Sequence, residues 1–169
     1  KNGELFDFFH GIDDLKNYKV RFIGDANQRI TEDYLRAFRF LRFSCEYAKE
    51  IDQLGLESCL KYQQFFKNIS RERIREEFFK ILNSNNQKNI FNVLKIFSQQ
   101  QIDFDLWGCK IDLKAFENIL NLQKYIKNHD LNLLKITAIF LLNDANKKYF
   151  FENFKTTKIE KNYINKFYK

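Results

Sequence analysis

The chain has 169 residues, 44% of them hydrophobic and 30% charged, with a formal net charge of +7. That apolar fraction suffices for the core of one compact domain or two small helical ones. No apolar run approaches the ~20 residues a membrane helix needs and no secretory signal pattern opens the sequence, so a cytoplasmic protein without membrane partners is expected. The absence of proline, with only five glycines, favours helices over a turn-rich sandwich or barrel. No methionine occurs, so no natural start codon is represented and a piece of a longer chain is expected. Cys45, Cys59 and Cys109 are widely spaced without a C-x-x-C, and only His10 and His129 could join them, which argues for buried thiols over a zinc site or disulfides.

Residues 1–24 contain two short β-prone runs flanking a turn, with a short helical stretch at Ile12–Leu15, and are expected to be a β-hairpin remnant at the edge of a sheet. From Thr31, a good N-cap, helical periodicity runs to Ala48 over about five turns. Tyr34, Ala37, Leu41, Cys45 and Ala48 form its apolar face, while Glu32, Arg36, Arg39 and Phe43 fall opposite. A second helix is expected over Leu56–Phe66. A third begins at Ser70, with Ile69 and Ile74 as a hydrophobic staple and Ile74, Phe78, Ile81 and Leu82 as its buried stripe. Further periodicity at Ile90–Phe97, Leu113–Ile126, Leu131–Leu142 and Lys158–Tyr168 completes a mainly α array, with a turn at Ser98–Gln101.

Charge distribution narrows the search for a working surface. Every arginine lies in the first half, at positions 21, 29, 36, 39, 42, 71, 73 and 75, and lysine carries the positive charge thereafter. A guanidinium offers a planar fork for phosphate or a base edge, whereas lysine is a flexible point charge. In the string Glu32-Asp33-Tyr34-Leu35-Arg36-Ala37-Phe38-Arg39-Phe40-Leu41-Arg42-Phe43 an acid is followed by arginines at +3, +6 and +9. On one helix, Asp33 and Arg36 would display an acceptor and a donor side by side, able to read a nucleobase edge. An amphipathic helix with an internal salt bridge is the plain alternative. Asp103-Phe104-Asp105 has the spacing of a metal-binding carboxylate pair but is expected in a loop between body helices, and Asp13-Asp14 and His129-Asp130 are expected to be structural.

These strings together resemble the class II tRNA nucleotidyltransferase (CCA-adding enzyme) and bacterial poly(A) polymerase family over about residues 5–83. The resemblance rests on Asp7, Gly11, Asp14-Leu15 and Val20-Arg21, on the E-D-x-x-R string, and on Ser70-Arg71-Glu72-Arg73-Ile74-Arg75-Glu76-Glu77. It implies that Asp7, Gly11, Asp14 and Arg21 link head to neck, and that Asp33 and Arg36 select ATP or CTP with Arg39 and Arg42 as further nucleotide contacts. Glu32, Ser70, Glu72, Arg73 and Glu77 would brace the neck. Tyr34 stands where proline is usual, and Phe38 where a smaller aliphatic is usual.

The family's Gly-rich loop, its D-x-D metal ligands and its R-R-D segment would lie upstream of residue 1. The resemblance therefore implies a C-terminal portion without the catalytic head: the end of the head in residues 1–27, neck helices in 28–83 and an RNA-binding helical body in 84–169. The whole enzyme would use Mg²⁺, bound by the head, to extend the 3′ end of tRNA or another RNA without a template. A poly(A) polymerase, and a non-catalytic RNA-binding helical module or subunit, are the alternative readings.

Overall fold

The computed structural model describes residue 3, residues 5–122, residue 125, residues 131–140 and residues 142–167, and over these the fold is mainly α-helical. In chain order it consists of α1 (Gly11–Lys16), α2 (Ala26–Glu32), α3 (Leu35–Tyr47), α4 (Gln53–Lys61), a 3₁₀ segment (Gln63–Asn68) and α5 (Arg71–Leu82), followed by α6 (Gln87–Gln99), α7 (Ile102–Trp107), α8 (Leu113–Leu122), α9 (Leu131–Ile139), α10 (Asp144–Asn153) and α11 (Lys158–Phe167). Side-chain caps start several helices. Asp25, Asp52, Ser70 and Asn86 each accept a backbone N–H from the residue three positions on. Asn143 and Asn146 cap each other's backbone at the start of α10, a helix that the sequence pattern had not suggested.

The expected hairpin remnant does not form. Among the described residues the sole β-type pairing is an isolated antiparallel bridge between Ile111 and Phe140. Leu5, Phe6, Phe8 and Phe9 stay exposed, and residues 19–23 run without a strand partner, because no neighbouring strand accepts their backbone groups.

The helix expected from Thr31 to Ala48 is two helices. Thr31 is not a cap: its hydroxyl donates back to the carbonyls of Asn27 and Gln28 inside α2. Asp33 is extended at φ −156°, and its carboxylate accepts the Leu35 N–H at 3.1 Å, which ends α2 and starts α3. Tyr34 follows with φ −59°, the value a proline ring would impose, and its ring stacks on Phe65 at 5.0 Å. The backbone of the break is therefore compatible with either residue, and the tertiary contact explains an aromatic one.

The core lies where α3 packs on α5, with α6 against α3 and with α6, α7 and α9 reaching α5. Phe78 is its centre, with ring centroids 4.6 Å from Trp107, 6.0 Å from Phe140 and 6.1 Å from Phe97. Ile69 and Ile74, the expected staple, are both buried. Lys135 is buried too, and its ammonium donates to the Leu82 carbonyl at 2.6 Å, satisfying one of the acceptors left open at the end of α5. Burial holds that lysine's pKa below its ordinary value. Asp103 lies in α7 rather than in a loop. Cys45, Cys59 and Cys109 are buried free thiols whose pKa values burial pushes up to about 12.

Gly55 is where α4 presses on α3, since a Cβ there would fall 2.7 Å from the Phe40 ring. Gly55→Ala is therefore expected to destabilise by about 1–3 kcal/mol in urea unfolding, despite alanine's better helix propensity. A variant as stable as wild type would show that the two helices separate freely.

Candidate nucleotide-binding cleft

The N-terminal segment is organised by two carboxylates. Asp7 accepts the backbone N–H groups of Gly11 at 2.6 Å and Ile12 at 3.0 Å, so it starts α1 from outside. Those bonds, with Ile12's the larger influence, hold its carboxyl below the usual range. Asp14 pairs with Arg21 at 2.6 Å, and Arg21 also donates to the Phe9 carbonyl at 3.3 Å. The four residues of the expected head–neck link thus close one local loop, with Arg21 carried back toward α1.

That loop lays residues 20–23 against α2 and α3 and leaves an open cleft of about 540 Å³ between them. Arg21, Arg29, Arg36 and Arg39 line it, with the rings of Phe9, Phe22, Phe40 and Phe43 between them. Phe22 stacks on Phe40 at 5.0 Å, so part of the aromatic wall is anchored in the core. Guanidinium groups beside aromatic faces suit an anionic, planar ligand.

Arg36 donates to Glu32 and, at 3.0 Å, to the Arg29 carbonyl. Glu32 also reaches Arg29 at 3.4 Å, and its pKa is held down chiefly by the hydrogen bond from Arg36. Arg39 lines the cleft without an ion-pair partner among the described residues. Asp33 is not part of the lining. Its carboxylate accepts from Arg73 of α5 at 2.8 Å, and although burial opposes ionisation, the Leu35 N–H and Arg73 hold its pKa below the ordinary value. The Asp33 and Arg36 side chains are therefore not paired, although the Arg36 backbone N–H donates to the Asp33 carbonyl at 2.9 Å: the break between α2 and α3 gives each side chain a different partner.

Arg42 likewise stands outside the lining. It donates to Glu77 at 2.7 Å and to Glu46 at 3.2 Å, and its guanidinium lies 3.9 Å from the Phe43 ring centroid. Glu77 is 5% exposed. Of the residues expected to brace the neck, Ser70 caps α5, Arg73 and Glu77 tie α5 to the cleft helices, and Glu32 works within the cleft's own turn. Glu72 is exposed and makes no ion pair among the described residues. Arg29 was not singled out in the sequence because the apparent continuity of helix 31–48 placed the start of the element after it.

Asp103 and Asp105 do not form a metal site. Asp103 is 1% exposed and accepts the N–H groups of Phe104 and Ile111, both at 2.8 Å, while Asp105 is exposed. Burial raises the Asp103 pKa against the pull of those bonds. No group of three or more His, Cys, Asp or Glu residues suited to a metal exists among the described residues. These residues do not fit an Mg²⁺ site. His129 and Asp130 lie outside the described residues. No described helix is long and apolar enough to cross a membrane.

Set beside known proteins, the chain is related in sequence to tRNA nucleotidyltransferases. Residues 50–97 match a family model described as the probable RNA and SrmB-binding site of polymerase A. The mitochondrial CCA tRNA nucleotidyltransferase 1 of Homo sapiens is 42% identical over 99 residues, covering 55% of this chain and 22% of that protein. The CCA-adding enzyme of Lactobacillus helveticus is 33% identical over 105 residues, 62% of this chain and 26% of that enzyme. That of Oceanobacillus iheyensis is 32% identical over 126 residues, 73% of this chain and 32% of that enzyme. Over the matched residues the chain is similar to CCA-adding enzymes. It spans between 22% and 32% of the length of these relatives.

The braces make two measurable claims. Glu77→Ala, which leaves the largely buried Arg42 with Glu46 as its remaining ion-pair partner, is expected to cost about 1–3 kcal/mol, and a double-mutant cycle with Arg42→Ala should recover part of it as coupling. Independent, additive losses would show that the pair is not a unit. Asp33 has a depressed folded-state pKa, so its contribution is present above the ordinary carboxylate value and fades as pH falls through the folded value. The stability gap between wild type and Asp33→Asn should therefore be widest near pH 7 and narrow below about pH 4. A gap that grows on acidification contradicts the assignment.

Proposed function

We propose that this chain is the nucleotide-selecting and RNA-holding part of a tRNA CCA-adding nucleotidyltransferase, its C-terminal portion, using CTP and ATP as incoming nucleotides. The observation that carries the reading is the cleft in which Arg36 and Arg39 face the same space beside aromatic walls, next to the Asp33 turn that α5 braces. On this reading residues 1–27 join the head, residues 28–83 form the neck that chooses the nucleotide, and residues 84–169 form the body that holds the acceptor end of tRNA.

A base entering the cleft would draw Arg36 from Glu32 and Asp33 from Arg73, trading ion pairs at the surface for a donor and an acceptor on its edge. Such exchange is feasible because partly exposed pairs contribute little net stability. Arg39 would take a phosphate, as would Arg29 or Arg21 at the cleft's far wall. Arg42, occupied by Glu77 and Glu46, would hold α3 in register rather than touch the nucleotide. Metal-dependent transfer would rest on carboxylates outside the described residues, so the chain alone would be inactive.

The family model's description names a polymerase A, which favours a poly(A) polymerase as the second reading. Incorporation of CTP separates the two.

Joined to its upstream coding region, the wild-type protein should bind ATP and CTP in preference to GTP and UTP, and Arg36→Ala should erase the preference with a loss of about 1–3 kcal/mol. Equal binding of all four nucleotides, unchanged in the variant, leaves only an RNA-binding or scaffold module.

A further inference from the structure

Apart from the cleft, α4 and α6 border a second groove of about 420 Å³ that shares no lining residue with it. Its α6 wall presents Lys88, Asn92, Lys95 and Gln99, spaced by four, three and four residues and so aligned on one face of the helix. α6 has 13 residues, which at ~1.5 Å each makes a track of about 20 Å. Ile51, Leu56 and Ile96 supply a narrow apolar floor.

The side chains on this track are available for a ligand. Lys95 is exposed and makes no ion pair among the described residues, and Asn92 and Gln99 make no side-chain hydrogen bond there. Lys88 is paired with Glu50 at 3.3 Å, but both side chains are about 70% exposed and the pair can open readily. α6 itself is held rigidly from behind. Asn89 is fully buried and donates to the carbonyls of Ser44 at 2.9 Å and Ala48 at 3.0 Å, while the side chain of Asn86 also reaches Ala48 at 2.9 Å. The track is thus fixed to the last turn of the same α3 whose first turns line the arginine cleft.

We propose that the α4–α6 groove is a subsite for an unpaired stretch of RNA, with Lys88 and Lys95 on phosphates and Asn92 and Gln99 on base edges. The assignment rests on the reading of this chain as the RNA-holding part of the enzyme. Carboxamides offer a donor and an acceptor together, which suits a base edge, and base edges are open to them where the strand is unpaired. The ammonium groups track the backbone, and the apolar floor accepts a base or ribose face. A partner protein helix would require a broad apolar face, which this groove lacks. The stretch matched by the RNA-binding family model, residues 50–97, contains every lining residue except Gln99.

The test is fluorescence anisotropy of a 5′-labelled, unstructured RNA dodecamer with the 169-residue chain, comparing wild type with Lys95→Glu, with Asn92→Ala/Gln99→Ala, and with Lys16→Glu on α1, outside both grooves and the RNA-holding body, as a control of equal charge change. Circular dichroism confirms that each variant is folded. Lys95→Glu should weaken binding about tenfold and Lys16→Glu less than about twofold, and unlabelled duplex RNA of equal length should compete about tenfold less well than the single strand. The paired carboxamide variant should lose affinity while keeping the wild-type salt dependence, since it removes no charge.

Equal losses from Lys95→Glu and Lys16→Glu would reduce the effect to overall charge, and equal competition by duplex would remove the unpaired-strand assignment; either overturns the proposal. Retained binding in Lys95→Glu, with wild type binding RNA well, overturns the groove alone. Failure of wild type to bind RNA at all overturns the wider RNA-holding reading together with it.

Discussion

The carboxylate of Glu77 is almost wholly withdrawn from water between α5 and α3, and it is tolerable there because Arg42 lies 2.7 Å away with Lys80 at 3.3 Å. A buried charge without a partner is costly, so this pairing constrains how α3 can sit on α5. The rest of the N-terminal half inherits that constraint. With Arg42 turned inward at the end of one ridge of α3, Arg36 and Arg39 project toward the cleft, and Arg73, one turn earlier on α5, reaches Asp33 at the break before α3. The two ion pairs pin the start and the middle of the cleft helix to one neighbour.

The core supplies the rigidity that those pairs orient. Phe78, on α5, sits among Trp107, Phe97 and Phe140, so α5 is anchored in rings contributed by α6, α7 and the segment after α9. Farther along, Arg75 pairs with Glu160 while lying 4.7 Å from the Phe79 ring centroid, and Glu160 also accepts the Thr157 N–H at the start of α11. α5 thereby connects the cleft to the C-terminal helix.

The two grooves divide their chemistry in a way that follows from side-chain type. The cleft presents guanidinium groups, whose planar forks would fix a ligand's orientation, while the α4–α6 track presents ammonium groups and carboxamides, which would tolerate a strand's changing backbone. α3 is common to both, its first turns at the cleft and its last turn bonded to Asn89.

What the sequence by itself determined was the helical class, the buried stripe of α5, its Ser70 cap and the concentration of arginine in the first half of the chain, because these follow from periodicity, local capping and residue chemistry within a few positions. The set Asp7, Gly11, Asp14 and Arg21 was legible as a pattern, and its bonds proved to be local as well. What only the tertiary structure decided was which partner each charge takes. The Asp33–Arg36 pair, natural on one continuous helix, is dissolved by a break that depends on Asp33 capping α3 and on Arg73 arriving from forty residues away. Arg42 is turned from the cleft by Glu77, and Arg29 is drawn into it by the packing of residues 20–23. The expected β-hairpin failed for the reverse reason, since strand propensity in a short run has no force without a second strand to pair with. Local order was written along the chain, whereas the partners of its charges depended on which distant surfaces the core brought together.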